Sequence, residues 1–267
     1  MNNQQLDDRW RTGDSYETFM GRWSRSVARE FVQWLDVDAG LSWLDVGCGT
    51  GALTDAICDT ANPRLVVACD PSQAFVNHVN RNKADPRVSA VLAGDDCLPE
   101  TSGGFDCLVS GLVINFFSDP LQSVREMCSR TRSGGVVAGY VWDYADGMQF
   151  LRVFWDEAGA LDQSARMLDE GTRFSICSSA ALETLFGDAG LQEVTSGSIE
   201  IPTRFASFTD YWQPFLGGTG PAPSYVASLD DDNREALRSR LEHRLSDGPG
   251  NRIHLIARAW AVRGSLR

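Results

Sequence analysis

Eight consecutive residues, Leu44–Gly51 with the sequence LDVGCGTG, carry the strongest chemical signal in the chain. A short apolar run ends at Val46, three glycines follow within five positions, and a helical pattern begins after Gly51. Strand, tight glycine turn and helix in that order allow the backbone to approach a ligand closely. The segment therefore predicts a ligand-binding loop.

The glycine spacing by itself is compatible with two classes of cofactor. Gly47, Gly49 and Ala52 satisfy the dinucleotide fingerprint, which permits alanine at its third position. Asp70, which follows the next apolar run, does not separate the classes, because dinucleotides and S-adenosylmethionine both present a ribose diol. A carboxylate that accepts both hydroxyl protons is the natural partner of that diol.

Two further acids favour S-adenosylmethionine. Asp45 stands at the lip of the loop, where a carboxylate would attract an ammonium or sulfonium group and repel a pyrophosphate. Asp95 follows the third apolar run, where it would accept a hydrogen bond from an adenine amino group. The alternatives are that Asp95 caps the next turn and that Asp45 bonds nearby backbone. The acids together favour a sulfonium cofactor.

Apolar runs that alternate with helical patterns position these residues. The runs are continuous, as in a parallel sheet covered on both faces. Ligands of such sheets bind beyond the carboxyl ends of the strands, where the glycine loop, Asp70, Asp95, Ser110 and Asp143 all fall. The predicted strands after the first are Leu65–Cys69, Val88–Ala93, Phe105–Ser110 and Val136–Trp142, with helices over 72–82 and Leu121–Arg130.

The predicted fold class is α/β, a Rossmann-like doubly wound sheet of about seven strands, mostly parallel with an antiparallel last strand. Residues 1–40 are predicted to form an N-terminal helical lid, in which Ser24 caps a helix; the alternative is a helix packed on the sheet edge. The cofactor-binding core spans 41–145. A substrate cap with the remaining core elements, inserted after strand five, spans 146–250, and 251–267 hold the last strand.

Composition limits the partners. The 267 residues carry a formal net charge of −12 and a pI of about 4.7, which disfavours a nucleic-acid partner. The sequence contains neither a signal-peptide pattern nor an apolar window of the roughly 18 residues that a membrane span needs. Seven scattered cysteines form no Cys-x-x-Cys pair. We expect a cytoplasmic protein without membrane contact and without a bound metal.

The motifs together resemble the class I S-adenosylmethionine-dependent methyltransferases. Leu44–Gly51 is similar to the first motif of that family, Asp70 to its ribose-binding acid, and Gly94–Pro99 to its adenine motif. Phe19–Arg25 and Tyr140–Tyr144 resemble a bacterial subgroup that acts on small molecules. One departure from the family pattern is that Asp96 and Cys97 replace the small apolar residue common after the adenine acid.

The resemblance implies S-adenosylmethionine as cofactor and S-adenosylhomocysteine as product. It implies that the glycines pass the methionine part, that Asp45 works near its amino end, and that Arg25 or Arg22 in the lid pairs its carboxylate. The implied cofactor-binding residues are Asp45, Gly47, Cys48, Gly49, Gly51, Asp70, Pro71, Ser72, Asp95, Asp96, Cys97, Ser110, Leu112 and, from the lid, Tyr16, Met20 and Arg25.

Methyl transfer is an in-line displacement that an enzyme accelerates by holding the nucleophile against the methyl group and excluding water. A base is needed only when the acceptor must lose a proton. Its candidates, and thus the predicted catalytic residues, are Tyr16, Asp143 and Tyr144. The three histidines, His78, His243 and His254, are expected to be structural or solvated.

Aromatic residues after position 144 favour a small, planar or hydrophobic acceptor. The alternative is that they only bury the cap. The predicted substrate-binding residues are Trp23, Asn115, Trp142, Phe154, Trp155, Tyr211, Trp212 and Phe215.

The sequence as a whole predicts a methyltransferase of specialised metabolism. It is expected to be a monomer or homodimer that methylates N, O or C of a small-molecule acceptor. A protein that binds S-adenosylmethionine in a structural or sensing role without turnover is the first alternative. A dinucleotide-dependent oxidoreductase is the second.

Overall fold

The computed structural model of the protein describes residues 21–82, 85–217, 220–245 and 252–267. These residues form two compact units. The core unit contains the described parts of Trp23–Trp142 together with Ile176–Ile199 and Ala259–Arg267. The second unit contains Gly21, Arg22, Asp143–Ser175 and the described parts of Glu200–Arg258. Tyr16 and Met20, predicted as lid contacts, lie outside the described residues. The predicted division into lid, core, cap and last strand stays a prediction.

The described residues contain a seven-stranded sheet. Its strands are β1 (Ser42–Val46), β2 (Leu65–Asp70), β3 (Val88–Leu92), β4 (Phe105–Gly111), β5 (Thr131–Trp142), β6 (Gln192–Phe205) and β7 (Ile253–Ser265). They lie in the order β3-β2-β1-β4-β5-β7-β6. The first five strands pair in parallel, and β7 pairs antiparallel to β5, which confirms the predicted fold class.

The helices of the described residues follow the strands in the alternation that the sequence indicates. They are α1 (Arg22–Leu35), α2 (Ala52–Thr60), α3 (Gln73–Asn82), α4 (Pro120–Arg130), α5 (Gln149–Leu161), α6 (Glu170–Arg173), α7 (Ser179–Asp188), α8 (Phe208–Trp212), α9 (Pro221–Ser228) and α10 (Asp231–Leu245). Short 3₁₀ helices lie at Ile114–Phe116, Gln163–Met167 and Gln213–Gly217. No helix in the described ranges is both long and apolar enough to cross a lipid bilayer.

The predicted cap of α1 at Ser24 is wrong. The helix begins at Arg22, and Ser24 is a buried residue within it. The buried face of α1 begins with Trp23 and continues through Val27, so the apolar stripe extends the helix toward its amino end.

Helix α4 begins as its sequence indicates. Asp119 accepts a hydrogen bond from the backbone N–H of Gln122 at 3.0 Å, and Pro120 occupies the first turn. An acidic cap followed by proline favours a helix start, because the side chain satisfies an amide and proline needs no partner for its own nitrogen.

Candidate functional site

The glycine loop lies between β1 and α2. Gly47, Gly49 and Gly51 have φ angles of 75°, 52° and 87°, a left-handed region that glycine adopts without strain. The N–H groups of Gly47 and Cys48 both donate to the carbonyl oxygen of Cys69, at 2.8 and 2.9 Å. A Cβ atom on Gly47 would lie 2.7 Å from Val113 Cγ1, so only glycine fits this close approach.

The second glycine faces open space. The N–H of Gly49 donates to Asp70 Oδ2 at 3.0 Å, and a Cβ atom built on Gly49 would meet no heavy atom within 4 Å. The side chain of Cys48, in contrast, is buried in an apolar cluster with Val76 and Val79. Burial raises the pKa of the Cys48 thiol above its usual range. The loop therefore offers backbone to a ligand at Gly49.

Asp70 closes β2 and is fixed by two backbone donors. Its Oδ1 accepts the N–H of Ser72 at 2.8 Å and its Oδ2 accepts the N–H of Gly49, so the carboxylate has one orientation. The residue is only 7% exposed, and burial raises the pKa of its carboxyl group above the usual range. Ser72 is half-buried, and Pro71 is exposed. The strand end thus presents a rigid hydrogen-bond acceptor beside Gly49.

Asp45 lies deeper than its place in the sequence suggests. It is 1% exposed, and its Oδ2 accepts a hydrogen bond from the Thr54 hydroxyl on α2 at 2.6 Å. The expected position at the lip of the loop is therefore wrong, because β1 is buried along its whole length and carries Asp45 with it. Its contact with a ligand amino group stays a prediction.

The loop after β3 brings three predicted cofactor residues together. Asp95 accepts a hydrogen bond at Oδ2 from the hydroxyl of Ser123 on α4. Asp96 and Cys97 are exposed, whereas Leu98 is buried and donates its N–H to Glu126 Oε1 at 3.2 Å. Side chains of helix α4 therefore hold this loop in place.

The end of β4 is shaped by a strained residue. Ser110 is fully buried and donates from Oγ to the carbonyl oxygen of Val46 at 3.0 Å, which ties β4 to β1. Leu112 has φ +61°, a conformation that costs a residue with a Cβ about 1 kcal/mol or more. Among described residues, none hydrogen-bonds the buried Nδ2 of Asn115, and its predicted contact with a substrate stays a prediction.

The remaining core-unit candidates differ in exposure. Arg25 is exposed on α1. Trp23 and Trp142 are buried side chains of the core, so their predicted contacts with a substrate stay a prediction.

The predicted bases of the second unit are engaged or buried. Asp143 accepts at Oδ2 from Arg258 Nε at 2.7 Å and at Oδ1 from the backbone N–H of Asp146 at 3.2 Å. Both carboxylate oxygens therefore hold the turn after β5 in place. Tyr144 is buried, with its ring centroid 5.7 Å from that of Phe174.

The predicted substrate-binding aromatics of the second unit form its core. Phe154 stacks on Phe215 with ring centroids 4.5 Å apart, and the Tyr211 hydroxyl donates to the carbonyl oxygen of Phe150 at 2.8 Å. Burial raises the pKa of Tyr211 well above its usual range. Trp212 also packs on Phe215, with centroids 6.0 Å apart. Their role in binding a substrate stays a prediction.

Glu170 is a buried residue that the sequence did not single out. The indole N–H of Trp155 donates to Glu170 Oε2 at 2.5 Å, and both side chains are buried. Burial raises the pKa of Glu170 to about 7 despite this hydrogen bond. The sequence also did not single out Ser123, Glu126 and Arg258. Each of them meets a partner 28 or more residues away in the chain, and no local sequence pattern marks such a pair.

Part of the core unit is similar to known proteins. Residues 44–139 match the family model described as a methyltransferase domain. The tRNA U34 carboxymethyltransferase of Pseudoalteromonas atlantica is 34% identical over 95 residues, 34% of this chain and 29% of that protein. The demethylmenaquinone methyltransferase of Shouchella clausii is 30% identical over 118 residues, 42% of this chain and 50% of that protein. The chain spans no more than half the length of these curated relatives.

A solved structure agrees with the fold over most of the chain. The YcgJ protein of Bacillus subtilis superposes with a TM-score of 0.58 at 16% identity, covering 91% of this chain and 98% of that one. The solved structure shows the same Rossmann-like fold that the sequence predicted, and residues 44–139 match a methyltransferase domain. The match of residues 44–139 favours a methyltransferase over the oxidoreductase alternative. The small-molecule subgroup stays a prediction.

Proposed function

We propose that this protein transfers the methyl group of S-adenosylmethionine to N, O or C of a small molecule. The observation that supports the cofactor most directly is the pairing of Asp70 with Gly49. A fixed, buried carboxylate lies beside a backbone position that faces open space. That combination suits a ribose diol and the chain of atoms attached to it.

We assign each part of the cofactor to a different group of residues in the core unit. Asp70 would accept the ribose hydroxyls, Asp95 the adenine amino group, and the glycine loop would pass the methionine part. When bound, S-adenosylmethionine supplies a methyl group already activated on a sulfonium. The chain itself then has to orient the acceptor and exclude water, which needs no nucleophilic side chain.

Net charge supports a small acceptor over a polynucleotide. A chain with a net charge of −12 repels a phosphate backbone at long range. The relatives do not decide the matter, since one is named for tRNA and another for demethylmenaquinone. We propose an aromatic or hydrophobic metabolite of specialised metabolism, methylated in the cytoplasm by a monomer or homodimer. Tyr16, Asp143 and Tyr144 remain the proposed bases where a proton must leave.

Calorimetry and thermal shift with S-adenosylmethionine, S-adenosylhomocysteine and NADH test the cofactor. We expect the two adenosyl ligands to bind and raise the melting temperature, and NADH to do neither. Stabilisation by NADH alone would refute the proposal. An acceptor screen with methyl-labelled cofactor then compares small aromatic phenols and amines with tRNA and protein. Labelled tRNA or protein would refute a small acceptor, and binding without any labelled product would favour a sensing role.

A further inference from the structure

One face of α4 holds the loop after β3. Three of its side chains, at intervals of three and four residues, lie on that face and contact the loop. The contacts pair Ser123 with Asp95, Glu126 with the Leu98 N–H, and Arg130 with Glu100. Because α4 is itself anchored by its Asp119 cap, the loop is fixed to a rigid element.

The second contact is reinforced within the helix. Glu126 Oε1 accepts from Arg130 Nε at 3.0 Å as well as from the loop at 3.2 Å. Although burial acts to raise the pKa of Glu126, these donors lower it below its usual range, so the group is an anion at neutral pH. The charge strengthens both hydrogen bonds. The loop therefore cannot shift without breaking a charged contact.

The first contact concerns a predicted ligand residue. Ser123 is 3% exposed, and its hydroxyl carries one proton but lies near two acceptors. These acceptors are Asp95 Oδ2 and the carbonyl oxygen of Asp119, the latter at 2.9 Å. A carboxylate accepts more strongly than a neutral carbonyl, so the proton goes to Asp95. Among described residues, none donates to the other oxygen, Asp95 Oδ1.

We propose that Ser123 is a positioning residue that orients the Asp95 carboxylate toward the exocyclic amino group of adenine and thereby makes the site selective for adenosyl ligands. This inference rests on the proposed function. Ser123 touches no ligand itself. With Oδ2 held by the helix, Oδ1 is the oxygen directed at the base.

Selectivity follows from whether the exocyclic group of the base donates or accepts a hydrogen bond. Adenine carries an amino donor there, whereas hypoxanthine carries a carbonyl acceptor, which a carboxylate repels. A carboxylate held by Ser123 cannot turn away from that carbonyl. Once released, it can rotate and relieve the repulsion, so discrimination falls together with affinity.

Calorimetry with S-adenosylhomocysteine and S-inosylhomocysteine tests the assignment. We expect Ser123→Ala to weaken adenosyl binding up to about tenfold, because the released Asp95 carboxylate can turn away and lose its charge-assisted hydrogen bond to the adenine amino group. The adenosyl-to-inosyl ratio should fall by a similar factor. Ser133→Ala is the matched control, because Ser133 is exposed at the amino end of β5. It should change neither number. A merely structural role for Ser123 would lower the melting temperature and leave the ratio intact.

A double-mutant cycle separates action through Asp95 from other effects. In the Asp95→Ala background, adding Ser123→Ala should change neither affinity nor selectivity further, because the carboxylate it orients is gone. Ser123→Cys, of similar size but a weak donor, gives the same readout if Ser123→Ala does not fold.

Two negative outcomes are distinguishable. A wild-type protein that binds neither ligand refutes the proposed function. A wild type that prefers the adenosyl ligand, with a ratio unchanged by Ser123→Ala or Ser123→Cys, refutes only the positioning role.

Discussion

Asp70→Asn is the sharpest test of the proposed cofactor site. The wild-type carboxylate accepts two backbone N–H groups, at 2.8 and 3.0 Å from Ser72 and Gly49. An amide of the same shape has one acceptor oxygen, so one of these donors would face an NH₂ group instead. Leaving a largely buried donor without an acceptor costs about 1–3 kcal/mol. The melting temperature of the variant should therefore fall in the absence of any ligand.

The loss of cofactor affinity adds to this. A carboxylate that accepts from both ribose hydroxyls makes two charge-assisted bonds, and losing their charge costs about 3 kcal/mol, or roughly a hundredfold in Kd. Titration calorimetry with S-adenosylhomocysteine at neutral pH measures it. Asp38→Asn, at an exposed position, removes the same charge and should leave the Kd unchanged.

Acidity gives an independent check on the same group. Because burial raises the pKa of Asp70, its carboxylate is protonated at a higher pH than an ordinary aspartate. Affinity for S-adenosylhomocysteine should fall as the pH is lowered through that raised pKa, and the Asp70→Asn variant should lose this dependence. A Kd for Asp70→Asn within threefold of wild type would refute the placement of the ribose at Asp70.

Four further substitutions test the two units separately, chiefly by thermal melting. Burial raises the pKa of Glu170 in the folded protein from 4.5 to about 7. Its ionisation therefore destabilises the fold as the pH rises from 4.5 to about 7. Glu170→Gln should be more stable than wild type at pH 8 by up to about 3 kcal/mol. For Asp106, burial opposes ionisation but its hydrogen-bond donors outweigh it and lower the pKa from 3.8 to about 2. Asp106→Asn should cost about 2 kcal/mol at pH 7 and almost nothing near pH 2, since the wild type loses this stabilisation as the pH falls through its pKa. Gly47→Ala should destabilise by about 2 kcal/mol or more through its clash with Val113, whereas Gly49→Ala should cost about 1 kcal/mol of backbone strain and weaken S-adenosylhomocysteine binding.

Each of these has a matched control. Glu193→Gln, at an exposed residue, should show no pH-dependent gain, and an equal gain for Glu170→Gln at pH 4 and pH 8 would contradict the linkage. Asp38→Asn serves for Asp106→Asn, and a cost that persists at pH 2 would contradict the assignment to its charge. Equal destabilisation by alanine at both glycines would contradict the close packing at the first.

The sequence identified the ligand-binding edge because its signals are local. The β1 strand, the glycine turn and α2 are contiguous, so their order and spacing already define the loop, and Asp70 follows its strand directly. Continuous apolar runs predicted the parallel sheet, since strands covered on both faces need no polar alternation. The family match and the observed strand order agree with both.

Packing decided what those same patterns left open. Asp45 belongs to a fully buried strand, so its carboxylate meets Thr54 rather than the lip of the loop. The aromatic residues of the second unit that were predicted to bind a substrate pack on one another, because a large apolar ring is more stable when buried than when exposed to solvent.

Partners far apart in the chain were beyond the sequence altogether. Asp143 meets Arg258 across 115 positions, and Asp95 meets Ser123 across 28. Local composition carries no record of such pairs, because only the packing of distant helices, strands and loops brings these residues within hydrogen-bond distance. The sequence by itself determined the strand-end acids and the glycine turn, and the tertiary structure decided which side chains hold those acids in place.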